Sequence, residues 1–158
     1  MSQQPASSSR ILLIDDNAGD VRLITEALRR EAPGVQVWCV SDSTEAIPRL
    51  KQAMAAGEGP QLVLLDLRMP KQDGFQVLEE IKRDPATARV PVVILTSSEA
   101  EQDVSRAYSL YANAVVTKPL GYRRLRSAMR TICEFWLELA RLPGANHFGY
   151  TRHEDTAD

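Results

Sequence analysis

Cysteine, histidine and aromatic side chains are all sparse in this 158-residue chain, which has two Cys, two His and only 6% Phe, Trp and Tyr. Cys39 and Cys133 have no Cys or His nearby at metal-ligand spacing. A zinc site and a disulfide framework are therefore not expected, and each thiol reads first as a small buried hydrophobe. His147 and His153 fall in the polar carboxyl-terminal stretch and have weak claims as ligands or bases. No charge of one sign predominates: 19 Lys plus Arg stand against 21 Asp plus Glu, a formal net charge of −2. No global field then draws the molecule onto nucleic acid or an anionic membrane. Long apolar runs are missing as well, none approaching the roughly 20 residues that span a bilayer. The stretch from Met1 to Ser9 lacks the basic and apolar regions of a signal peptide. A soluble cytoplasmic protein with neither nucleic acid nor membrane as partner is the expectation.

Two phosphate-binding signatures are also lacking. There is no G-x-G-x-x-G after the first apolar run and no G-x-x-x-x-G-K-[ST] anywhere, so neither a dinucleotide fold nor a P-loop has its cradle. What the chain does have is a globular mix, 44% hydrophobic and 25% charged, at a length suited to one domain. Five short apolar runs stand out: 11–14, 35–40, 62–65, 90–95 and 114–116. Several are continuous rather than alternating, as in parallel strands covered on both faces. Helical spacing lies between them, in Val21, Ile24 and Leu28, in Ala46, Leu50 and Ala53, in Val77, Leu78 and Ile81, and in Val104, Ala107 and Leu110.

Strand then helix, repeated five times, predicts an α/β fold with a doubly wound five-stranded parallel sheet, flavodoxin-like, in the order 2-1-3-4-5. Residues 10–142 form the predicted domain, between an amino-terminal tail of residues 1–9 and a carboxyl-terminal tail of residues 143–158. The last helix is expected to begin near Leu120 and run to about Leu142. Pro48 falls inside the second helical pattern and belongs in that helix's first turns.

Reactive side chains cluster at the strand ends. Asp15 and Asp16 follow the first run, Asp66 the third, Thr96 the fourth and Lys118 the fifth. Ends of parallel strands share one edge, and in this order the first and third strands are neighbours, so three carboxylates meet one ammonium and one hydroxyl. Clustered carboxylates repel unless a cation shares the site. An all-oxygen donor set suits Mg²⁺. Asp15 and Asp16 read as ion holders, with Asp66 as a third oxygen donor and as the best nucleophile, able to form an acyl phosphate. Lys118, the Thr96 hydroxyl and the Ser97 amide would stabilise the transferred phosphoryl oxygens. Singly, each residue has a plainer reading: an Asp after a strand caps a helix, Lys118 is a surface charge, and Thr96 caps the next helix. Caps alone would not require this combination on four strand ends.

In these motifs the chain resembles the bacterial response-regulator receiver (CheY-like) family. The matching pieces are Ile11-Leu12-Leu13-Ile14-Asp15-Asp16-Asn17, Leu62 to Pro70 with Asp73-Gly74, Pro91 to Ser97, and Thr117-Lys118-Pro119. The resemblance implies a two-component phosphorelay in which Asp66 accepts a phosphoryl group from a sensor histidine kinase. It also implies that Asp15 and Asp16 organise Mg²⁺, that the backbone carbonyl of Arg68 joins the coordination sphere, and that Thr96 and Lys118 sense the phosphoryl group. More narrowly, Ala18 to Leu23, Ile81 to Pro85, Tyr111 to Ala114 and Phe135-Trp136-Leu137 with Leu142-Pro143 are similar to single-domain regulators paired with phytochrome-like kinases. That similarity implies a light-dependent kinase partner. The family usually has Tyr or Phe three residues before the lysine; Val115 stands there instead.

The expected output is protein binding rather than enzymatic turnover, with at most weak self-dephosphorylation. Two other functions share these residues: a phosphorylation-independent scaffold and an aspartyl-phosphate hydrolase, the latter needing a cap that the short connections do not supply. A homodimer through the fourth helix, fifth strand and fifth helix is also expected. Met129, Ile132, Trp136 and Leu139 would pack on the sheet, while Cys133, Phe135 and Leu137 would point elsewhere. Arg123, Arg124, Arg126 and Arg130 would face Glu99, Glu101 and Asp103 of a second copy.

Overall fold

A computed structural model of the chain describes residues 9–143. Five strands, β1 (Arg10–Ile14), β2 (Gln36–Val40), β3 (Leu62–Leu65), β4 (Val92–Thr96) and β5 (Ala114–Thr117), form one parallel sheet in the order β2-β1-β3-β4-β5. The expected strand order is thus the observed one. Five α-helices alternate with them: α1 (Ala18–Glu31), α2 (Ser43–Ala55), α3 (Gly74–Arg83), α4 (Glu101–Ser109) and α5 (Tyr122–Cys133). The tails named above, His147 and His153 included, lie outside the described residues, apart from Ser9 and Pro143.

Each of the first three helices starts at a side chain that takes up an amide its own turn cannot satisfy. Asn17 accepts from the Asp20 amide, Asp42 from the Thr44 amide and Asp73 from the Gln76 amide. Pro48 is the sixth residue of α2 and is exposed, so the carbonyl it leaves without an amide partner can meet water. The two faces of the sheet carry separate apolar layers. Ile11, Leu13, Leu62 and Leu64 pack with α1 and α5, whereas Leu12, Ile14, Val63 and Leu65 pack with α2, α3 and α4. Strand alternation produces this division, and each large side chain so enclosed contributes about 1.5–3 kcal/mol.

Several expectations need correction. Cys39 is exposed, because β2 is an edge strand and only Val40 in it is fully buried. The last α-helix stops at Cys133 and a π-helical segment continues over Glu134–Leu139, closed by the Ala140 amide bonding to the Phe135 carbonyl 2.7 Å away. That wider turn changes the phase of the stripe. Leu139, expected inside, is 69% exposed, while Leu137 packs against the α1–α5 layer. Cys133, a buried hydrophobe as first read but expected off the core-facing stripe, is buried beside Met129 and Ile132, and burial pushes its thiol pKa up to about 12.

Two stretches quoted for the narrower resemblance meet at the sheet's far end. Lys82 Nζ donates to the Ala88 carbonyl at 3.2 Å, the Val90 carbonyl at 3.0 Å and Asn113 Oδ1 at 2.9 Å. Asn113 Oδ1 also accepts from the Val92 amide at 2.9 Å, so one polar knot ties α3 to the starts of β4 and β5.

Candidate functional site

The acidic residues reach the sheet edge because the ladder continues one residue past each strand. The Asp15 amide donates to the Val40 carbonyl at 3.2 Å, and the Asp66 amide to the Ile14 carbonyl at 2.9 Å. On the other side, the Lys118 amide donates to the Thr96 carbonyl at 2.7 Å. Backbone bonds therefore bring Asp66 and Lys118 onto one crevice of about 530 Å³, lined also by Asp16, Asp20, Arg68 and Ser97, with Asp15 buried beneath it.

Oxygens of Asp15, Asp16 and Asp66 all lie within 4.8 Å of one another. Lys118 Nζ stands 2.8 Å from Asp15 Oδ2 and 3.4 Å from Asp66 Oδ2. Burial raises the pKa of Asp15, an effect that hydrogen bonds from Lys118 and the Asn17 amide oppose. Burial also works against the charge on Lys118, but hydrogen bonds to Asp15 and Asp20 outweigh it and hold the ammonium above its ordinary range. Three hard oxygen donors that repel one another at this spacing fit a divalent cation.

The acceptor candidate is nearly free of short contacts. Asp66 is 6% exposed, and its Oδ1 accepts only a long 3.4 Å bond from the Arg68 amide. Gly74 makes this arrangement possible: a Cβ there would sit 2.2 Å from the Asp66 carbonyl oxygen and 2.6 Å from Leu67 Cα. The start of α3 thus rests directly on the backbone that carries Asp66, and the Gly74 amide bonds to the Leu67 carbonyl at 2.9 Å.

Thr96 is brought to the same edge but differently from Asp66. Its side chain is buried and its Oγ1 accepts from the Ser98 amide at 3.2 Å, leaving Ser97 rather than Thr96 on the crevice lining. Arg68 lines the crevice and sends its guanidinium outward to Asp103 of α4, whose Oδ2 also accepts from Ser98 Oγ at 2.6 Å. Asp103 is therefore engaged within its own chain. So are Arg126 and Arg130, each 2.8 Å from a carboxylate oxygen of Glu31 on α1. The expected interface between copies therefore loses these three residues to pairs within the chain. Compositional balance could not show the fold bringing Glu31 to α5 instead.

Asp20 was not singled out among the site residues. Its Oδ2 lies 2.8 Å from Lys118 Nζ. The sequence signal was an Asp in the first turn of α1, which is indistinguishable there from an ordinary helix-start acid.

The crevice and its lysine sit within a larger likeness. The response regulator receiver domain pattern matches residues 11–130. Response regulator Rcp1 of Synechocystis sp. is 37% identical, covering 92% of this chain and 100% of its own length. Among solved structures, the phosphorylated cyanobacterial phytochrome response regulator RcpA is 42% identical with a TM-score of 0.80, over 87% of this chain and 99% of that one. The Mn(2+)-bound form of Rcp1 is 38% identical with a TM-score of 0.76, over 85% of this chain and 99% of that one. Every crevice residue named here falls inside the matched span, and the strand order is the one observed. This chain belongs to the response regulator receiver domain family.

Proposed function

We propose that the protein accepts a phosphoryl group on Asp66 from a phosphohistidine of a sensor kinase and signals by changing its protein contacts. The observation that carries this reading is the position of Lys118, whose ammonium spans Asp15 and Asp66 in a crevice that Asp16, Asp20 and Asp66 also line. An Asp66 carboxylate oxygen attacks phosphorus, the bond from phosphorus to the donor's imidazole nitrogen breaks, and its electron pair leaves with the imidazole. Lys118 and the Ser97 amide supply positive charge and a donor where the equatorial oxygens gather, with the Thr96 hydroxyl turning from Ser98 to add another. Asp15 and Asp16, with Asp66 and the Arg68 carbonyl, would hold Mg²⁺, which when bound neutralises charge on the transferring group.

RcpA and Rcp1 support the narrower assignments, the one a phosphorylated phytochrome response regulator and the other solved in a Mn(2+)-bound form. A phytochrome-like, light-sensing kinase is the corresponding partner for this chain. Such a kinase consumes ATP, which places the pair in the cytoplasm. No helix among the described residues is long and apolar enough to cross a membrane. Output through binding rather than turnover fits a crevice whose reactive groups are all used in holding one phosphoryl group.

We also propose a homodimer through α4, β5 and α5. After the intrachain pairs are removed, exposed Arg123 and Arg124 on α5 and exposed Glu99 and Glu101 at α4 have no ion-pair partner among the described residues, a complementary set for a two-fold contact. Phe135, 47% exposed, adds apolar surface beside it.

Intact-mass measurement after mixing with acetyl phosphate and Mg²⁺ tests the acceptor. Wild type gains one phosphoryl mass; Asp66→Asn gains none and keeps its circular dichroism, and chelation of the metal stops labelling of the wild type. Equal labelling of Asp66→Asn would reject the assignment, and an unlabelled wild type would favour the scaffold function.

A further inference from the structure

Lys118 gives its two shortest contacts to carboxylates other than the proposed acceptor. Its Nζ lies 2.8 Å from Asp15 Oδ2 and 2.8 Å from Asp20 Oδ2, against 3.4 Å from Asp66 Oδ2. The two short contacts differ in setting: the Asp15 side chain is 1% exposed and the Asp20 side chain 37% exposed. Parting Lys118 from Asp15 would leave an enclosed charge unpaired, whereas water can take over at Asp20. The contact to Asp20 is therefore the exchangeable one.

A plainer account of Asp20 is that it stabilises the start of α1, where its amide bonds to Asn17 Oδ1 at 2.9 Å and an acid suits the helix dipole. That account needs no partner for the carboxylate. It leaves unexplained why the carboxylate reaches a lysine 98 residues away in sequence, and why the residue lines the same crevice as Asp66.

We infer that Asp20 is a positioning residue that holds the Lys118 ammonium in the unphosphorylated protein and competes with the phosphoryl group on Asp66 for it. The inference rests on the assignment of Asp66 as acceptor. An ammonium has three N–H donors. Two are engaged by Asp15 and Asp20, and the third faces Asp66. When anionic phosphoryl oxygens enter the crevice, Lys118 keeps Asp15 and turns a donor from Asp20 toward them. Only a hydrogen bond moves; Asp20 makes and breaks no covalent bond. It acts as a brake on uptake and shortens the lifetime of the loaded state, because the released lysine always has a carboxylate to return to.

The test compares full-length wild type, Asp20→Asn and Asp20→Glu at saturating Mg²⁺, following uptake from acetyl phosphate by intact mass and then decay after the donor is removed. Asn preserves size and an acceptor oxygen in the first turn of α1, and circular dichroism verifies the fold. Asp20→Asn is expected to load about threefold faster and to decay about threefold more slowly, the scale of one half-exposed ion pair, while Asp20→Glu stays near wild type. Wild-type decay in Asp20→Asn overturns the inference, since faster loading alone then reflects removal of a negative charge from the donor's path. Slower loading overturns it as well. A wild type that takes no label overturns instead the acceptor assignment beneath it. In a beryllofluoride-loaded crystal, Lys118 is expected beyond hydrogen-bond distance of Asp20, and an intact contact there also refutes the competition.

Discussion

The hydroxyl of Tyr108 on α4 accepts a hydrogen bond from the Val115 amide of β5, at 3.2 Å. Val115 pairs with Ile94 on its inner side, and β5 is an edge strand, so this amide points away from the sheet. An outward amide on an edge is ordinarily left to solvent or to another chain. Here a tyrosine from the preceding helix covers it, at the position where the family usually has an aromatic side chain. Tyr108→Phe removes that acceptor and is expected to free α4 from β5 locally. Loss of about 1 kcal/mol would speed hydrogen exchange of the Val115 amide roughly fivefold. Exchange at the wild-type rate would show that the bond does not hold the edge.

Gly74 carries the backbone under the acceptor. A methyl group at this position meets main-chain atoms of Asp66 and Leu67 rather than a yielding side chain, so either α3 or the end of β3 must shift. Gly74→Ala is expected to lower the melting temperature and to slow phosphoryl uptake from acetyl phosphate at least tenfold, on the order of what a misplaced reacting group loses. Unchanged uptake in the folded variant would separate the Asp66 position from α3.

Half-buried Lys82 ties α3 to the sheet. Burial lowers its pKa, yet its ammonium satisfies two carbonyls and Asn113. Lys82→Met keeps the aliphatic stem and abandons these acceptors, with an expected loss of about 2 kcal/mol in urea unfolding, the value typical of hydrogen bonds to a charged group. A denaturation midpoint equal to that of wild type would refute this role.

Asp42 couples stability to acid. The Lys71 ammonium, with help from the Thr44 hydroxyl and amide, holds its carboxyl pKa down to about 2 from an ordinary 3.8. Stability from such a carboxylate is complete above the unfolded value and is lost as pH falls through the folded one. Asp42→Asn retains the helix-capping acceptor but not the charge. Its melting temperature should lie below that of wild type near neutral pH, with the gap closing between about pH 4 and about pH 2. A gap independent of pH would remove the Lys71 pair as its cause.

Phe135 tests the proposed self-association. Its ring meets Trp136 edge-on, with centroids 4.9 Å apart, while half of its surface faces solvent. Phe135→Asp should shift the protein toward monomer in sedimentation velocity over a concentration series and leave phosphoryl uptake intact. A wild type that is monomeric throughout would reject the dimer, and an equally dimeric variant would move the contact away from Phe135.

Strand order, the shared edge and the gathering of Asp15, Asp16, Asp66 and Lys118 could be read from the chain because they depend on local pattern. Continuous apolar runs make buried parallel strands, right-handed crossovers restrict their order, and the residue after each run must emerge at the same edge. Contacts that depend on where long side chains end could not be read that way. Asp20 reaches Lys118, Glu31 takes Arg126 and Arg130, and Arg68 crosses to Asp103, all over separations that composition and spacing do not encode. Cys39 is a different case, since the order read from the chain already put its strand at the edge, where an apolar run need not be buried throughout. Leu139 marks a further limit, because one π turn changes the phase of a stripe read with an α-helical period. Local pattern was enough to place the five strands and five α-helices and to bring Asp15, Asp16 and Asp66 together. Which charges distant in the chain pair, as Glu31 does with Arg126 and Arg130, was left to tertiary packing, because such a pair forms between whichever groups the packed helices bring within reach.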